Sequence, residues 1–192
     1  METNEMTPEK SLQIISDAIA KSRRDFEQNG GKPMILWGIV VFVFAILTWG
    51  LVKMTGDGRW FFLWFGVPVV GVPLTSILIG KDRPKPAKNF TTKIFVHVWT
   101  IYGIFATSLA VAFSILSPEY IAFAVVILMG FATAMMGLIV NSKSIIAGGL
   151  VTGIACPILL HLVHSEDLTL LFALIALVDL ILPGVMMNRK KA

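Results

Sequence analysis

The chain alternates between apolar blocks of about 20 residues and short polar breaks, a spacing suited to a hydrocarbon layer roughly 30 Å thick. Six blocks stand out: Met34–Val52, Trp60–Ile79, Ile94–Leu116, Tyr120–Val140, Ile145–Val163 and Leu168–Met187. The breaks between them read KMTGDGR, GKDRPKPAKNFTTK, SPE, NSKS and HSED. The pattern predicts an all-α, polytopic membrane protein with six transmembrane helices over residues 33–188. Ser117-Pro118-Glu119 is the shortest break, but proline suits the first turn of a new helix.

Residues 1–32 follow a different pattern. In TPEKSLQIISDAIAKSRRDFEQNGG, Thr7 can cap a helix and Pro8 suits its first position. Leu12, Ile15, Ile19 and Phe26 recur on one face, and Asn29-Gly30-Gly31 ends the segment. The prediction is an amphipathic N-terminal helix, with a short basic tail, 189–192, at the far end of the chain. Positions 12, 15, 19, 22 and 26 trace a heptad seam interrupted only by Ser22. Acidic and basic residues nearly cancel here, whereas a lipid-binding helix has a strongly basic polar face. The apolar stripe therefore rests on the protein's own cytoplasmic face or docks a partner, which could be a second copy.

The run Met6–Gly38, MTPEKSLQIISDAIAKSRRDFEQNGGKPMILWG, resembles the start of small multi-pass membrane proteins of anaerobic gut bacteria. The likeness covers the amphipathic helix and the first span. It implies a bacterial inner-membrane location and brings no activity and no catalytic motif.

Composition agrees with the pattern. Of the 192 residues 56% are hydrophobic, against about 45–50% in soluble domains, and the mean hydropathy is +0.80. No small-residue cleavage site follows the first block, which reads as an uncleaved anchor. The single cysteine, Cys156, has no intrachain partner for a disulfide. Charge sets the orientation. Lys10, Lys21, Arg23, Arg24, Lys32, Lys81, Arg83, Lys85, Lys88, Lys93, Lys143, Arg189, Lys190 and Lys191 fall on one side, and only Lys53 and Arg59 on the other. Basic loops stay inside, so both termini are expected in the cytoplasm. The loop KDRPKPAK reads as a topology determinant beside anionic lipid, and no folded module is present to turn it toward nucleic acid.

Asp179 interrupts the last block, LIALVDLILPG. A carboxylate at that depth costs about 2.5–3.5 kcal/mol on insertion scales, so it should face the interior and find a donor. Arg189 lies about 15 Å further along the helix. His97, Tyr102, Thr100, Thr107, Ser108, Thr133 and Thr152 are candidate partners, His97 and Tyr102 foremost. Asp179 is then either a helix-locking group or an ion or proton site. Pro68 and Pro73 in the second block, and Gly149, Gly153 and Pro157 in the fifth, could be hinges of two inverted halves. The same residues also serve kinks and close packing, Gly149 and Gly153 forming a GxxxG pair. His161, His164 and Glu166 could hold a borderline metal, a pattern of low specificity.

Enzyme signatures are missing: the chain has no HExxH, GxSxG, P-loop, dinucleotide fingerprint or second intramembrane carboxylate. The expectation is a non-enzymatic membrane protein without a cofactor, a homo-oligomeric small-solute or ion transporter or channel built around Asp179. The alternative is an accessory or sensory protein that docks a cytoplasmic partner through its N-terminal helix.

Overall fold

A computed structural model of the protein describes residues 7–78, 90–112, 118–162 and 167–189, and these are helical apart from short turns. Helix α1 runs Pro8–Asn29 and α2 Gly31–Thr55, with only Gly30 between them. A 3₁₀ helix, Gly58–Phe65, leads into α3, Gly66–Leu78. Then come α4 (Phe90–Val111), α5 (Pro118–Val140) and α6 (Lys143–Leu150). A π-helical turn, Val151–Ala155, joins α6 to α7, Cys156–Leu162. A second π segment, Ala176–Ile181, joins α8 (Leu168–Ile175) to α9 (Leu182–Arg189).

Five of these runs are long and apolar enough to cross a membrane: Gly31–Thr55, Gly58–Ile77, Lys93–Val111, Tyr120–Val140 and Leu168–Arg189. The apolar stretch Lys143–Leu159 is shorter. The second block is not one regular helix, as its hydropathy suggests. It opens inside the 3₁₀ helix Gly58–Phe65, with Asp57 accepting from the Arg59 backbone N–H at 2.9 Å to cap that helix. Arg59 also donates its Nε to Asp57 at 2.8 Å and holds that carboxyl below the usual carboxylate range. The cap is therefore complete at neutral pH and is lost only as pH falls below that range. Pro68 sits in the first turn of α3 and Pro73 inside it.

Helix α5 runs antiparallel to α6, and α2 to the α8–α9 run, and small residues set how close they come. On α5 and α6, a methyl built on Gly149 would overlap the backbone of Ala134, and one on Gly130 would overlap that of Gly153. Gly137 meets Ile146 in the same way beside the turn, where Asn141 has φ 59° and the Ser142 N–H reaches the Gly137 carbonyl at 2.9 Å. Helix α2 crosses α9 where Gly31 meets Gly184, and meets the second π segment where Gly38 meets Leu180 and Ile181. At the far end of α2 the Trp49 indole donates to Asp167 at 2.9 Å, and Lys53 lies 3.6 Å from the same carboxylate.

The core lies between α5 and the α8–α9 run, with Val126, Val140, Ile145 and Ile175 almost fully buried. The outside is apolar as well. Val96, Ile101, Ile104 and Phe105 of α4 and Val69, Val72 and Ile77 of α3 face outward. In water such a surface would demand a partner; hydrocarbon covers it without one. Helix α1 packs against α2, α4, α5 and α9 but leaves Leu12, Ile15 and Ile19 exposed. The side chain of Phe26 lies outside the described residues.

Gly149→Ala forces the α5–α6 backbones apart, and overpacking of this kind costs about 1–3 kcal/mol. Gly153→Ala meets only ordinary contacts, the nearest at 3.6 Å. Thermal unfolding of the purified protein in detergent, followed by circular dichroism, should show a clear loss for the first variant and little change for the second.

Candidate functional site

Two interrupted helices meet at Asp179. Pro157 and Pro183 carry no backbone N–H, and each ring crowds the carbonyl four residues back, that of Gly153 or of Asp179. In each helix the turn ahead of the proline widens to π geometry, ending at Ala155 and at Ile181. Such turns mark sites where the regular ladder has been given up. Each of the two carries one polar residue into the interior, Thr152 in the first and Asp179 in the second.

Asp179 is fully buried. From α5, Thr133 donates its hydroxyl to Oδ2 at 2.9 Å. The other carboxyl oxygen, Oδ1, has no hydrogen-bond partner among the described residues. Thr152 acts on the same carboxyl from the facing helix, but its Oγ1 closes no hydrogen bond of ordinary geometry among the described residues. Gly148 lies beside them. A methyl built there would sit 3.4 Å from Oδ1 and 3.7 Å from the Val178 carbonyl oxygen, in ordinary contact. Unlike Gly130 and Gly149, this glycine is not required by a backbone crossing.

Tyr102 of α4 lies within electrostatic range of Asp179. Its ring packs edge-on to Trp99, centroids 5.5 Å apart, and it also lines a cleft of about 270 Å³. The cleft lies between the 3₁₀ helix and α4, with α5 and α8 behind.

The structure thus gathers Asp179, Thr133, Thr152 and Tyr102. It leaves His97 out: that ring is exposed, with Nδ1 2.6 Å from the Lys93 carbonyl oxygen of its own helix. Thr107 turns back to the Gly103 carbonyl at 2.7 Å, and Thr100 is exposed. The side chains of His161, His164 and Glu166 lie outside the described residues, among which no cluster of three metal-ligating side chains occurs. Gly149 belongs to a helix crossing, Gly153 faces Gly130 across it, and Pro157 follows the first π turn. Pro183 was not among the residues singled out by sequence; the clue was a proline four residues after the lone aspartate. Two further buried groups, Thr48 Oγ1 and Trp99 Nε1, have no partner among the described residues, and the structure gives no account of them.

No protein-family model, curated protein or solved structure matches the chain.

Thr133→Val removes the donor that the structure gives Asp179 while keeping side-chain volume. Leaving a buried acceptor unpaired costs about 1–3 kcal/mol. Unfolding in graded dodecyl sulfate should show a loss of that size, with Thr133→Ser recovering most of it.

Proposed function

We propose that the protein is a six-span carrier of a small solute or ion, with Asp179 as its exchangeable polar site. The observation that carries this reading is the half-satisfied carboxyl. A carboxyl that serves only to lock helices gains most when every oxygen is hydrogen-bonded, since partly satisfied buried networks are costly. Among the described residues the hydrogen bond of ordinary geometry to Asp179 is Thr133's to Oδ2; Thr152 stands beside the carboxyl without closing a second one, and Oδ1 lies next to Gly148. It also sits in a turn whose backbone ladder is already broken, as does Thr152 opposite. Broken helices facing one another at mid-membrane are the usual setting of a transport site.

The sixth span is the helical run 143–162, continuous through its π turn, and at 1.5 Å per residue about 30 Å long. Lys32, Lys93, Lys143 and Arg189 fall at one end of the antiparallel array, which the positive-inside rule assigns to the cytoplasm. At the other end, Arg59 and Lys53 are each paired with a carboxylate. A bacterial inner membrane is the location that suits this bias.

A second reading has its own observation. Leu12, Ile15 and Ile19 remain exposed on α1, which suits docking of a cytoplasmic protein. If docking is the function, Ile15→Glu with Ile19→Glu should abolish the cellular phenotype while leaving the membrane domain folded.

The carrier reading is tested by water access. In a Cys156→Ser background, Asp179→Cys is exposed to a membrane-impermeant thiol reagent from each side of oriented vesicles. Labelling from at least one side is expected, with Gly148→Leu in the same background reducing it several-fold. Normal expression without labelling from either side would make Asp179 a structural lock.

A further inference from the structure

We infer that the cleft between the 3₁₀ helix and α4 binds a single alkyl chain of an amphiphile, with Tyr102 on its wall. This deepens the carrier reading by naming a class of solute. It rests on that reading for transport, but binding stands on the cleft itself.

The cleft's walls are chemically uniform. Phe61 and Phe65 form one side, Gly103 and Ala106 of α4 the other, and Ala122 and Phe172 close the back. Among the described residues no charged side chain lines it. Of its hydroxyls, Thr107 is already committed to its own helix. An ordered water needs two to four polar partners, and apart from Tyr102, Thr169 and the Trp64 indole these walls are apolar. The cleft is partly open, at the depth of the apolar outer surface of α4, so its surroundings are hydrocarbon. At about 270 Å³ it falls below the roughly 300–1,000 Å³ of pockets for drug-sized ligands. A slender, flexible, apolar guest fits it.

Gly103 strengthens the assignment. Glycine inside a helix is unfavourable relative to alanine. Where Gly130 and Gly149 allow backbones to touch, Gly103 has nothing among the described residues within 4 Å of its Cβ position. It provides room inside the cleft rather than close packing. On the same helix Ile101, Ile104 and Phe105 point outward, so α4 shows a recessed face to the cleft and a bulky face to the bilayer. Apolar surface gains little by leaving lipid for protein. Selectivity for a chain in the cleft must therefore come from shape, and Gly103 helps to set that shape.

The test uses the full chain in nanodiscs of saturated-chain phosphatidylglycerol. Two probes are photolysed separately and mapped by residue-level mass spectrometry: palmitic acid with a diazirine in its chain, and a phosphatidylcholine bearing the same chain. Adducts are expected at cleft residues such as Gly103, Ala106 and Ala122. Unlabelled competitor of the same headgroup should suppress them several-fold and leave adducts at Ile104 and Phe105 unchanged. The probe whose labelling saturates identifies the source as free acid or bilayer lipid. Gly103→Leu should reduce cleft adducts several-fold, with Ala106→Val as the second filled variant if the first does not fold. Equal, non-saturable labelling of both faces of α4 would overturn the proposal, as would saturable labelling that neither filled variant changes. If cleft labelling saturates while Asp179→Cys stays unreactive, the alkyl site stands and the carrier reading falls. The reverse result removes the alkyl site alone.

Discussion

Backbone contact between α5 and α6 is the constraint from which the site follows. In hydrocarbon, apolar side chains gain little by leaving lipid for each other, so helices hold together through dispersion at close range and a few hydrogen bonds. Gly130 and Gly149 permit that range. Thr133 lies three residues beyond Gly130, on the neighbouring ridge of the same helix, and Thr152 lies three beyond Gly149. The crossing that brings the backbones together therefore brings both hydroxyls to one place, and Asp179 lies against them. A bulky residue at either crossing glycine would separate the pair and remove the polar surroundings of the carboxylate.

The two proline-broken helices share a logic. In TGIACP and in VDLILP a proline removes a backbone donor, the turn before it widens, and a polar side chain of that turn points inward. A widened turn has carbonyls held less tightly than those of a regular helix, so its side chain can shift at smaller cost. Fixed on one side by Thr133 and carried on the other by a loosened backbone, Asp179 combines a defined position with a compliant support.

Hydropathy made the helical class and the five long apolar runs legible, because hydrocarbon penalises polar groups residue by residue. The lone aspartate was legible for the same reason. Its partners were only narrowed: Tyr102, Thr133 and Thr152 stood among seven candidates, beside His97, which faces outward. Depth in a span can be read from residue number, but rotation about the helix axis cannot, and rotation here depends on where glycines let backbones meet. The 3₁₀ start of the second block was hidden, since an apolar run has the same composition in either helical form. The cleft was hidden too. It depends on small residues of α4 facing aromatic ones from the 3₁₀ helix, far apart in the chain.

One feature of the fold joins its two ends mechanically. Helix α1 connects to α2 through Gly30 alone, and α2 bears, at Gly38, on Leu180 and Ile181 of the turn that carries Asp179. At 1.5 Å per residue α1 is about 33 Å long. Because α1 also packs against α4, α5 and α9, its length of about 33 Å fastens the support of the carboxyl to the other helices, so a shift at that turn is resisted along the whole N-terminal helix.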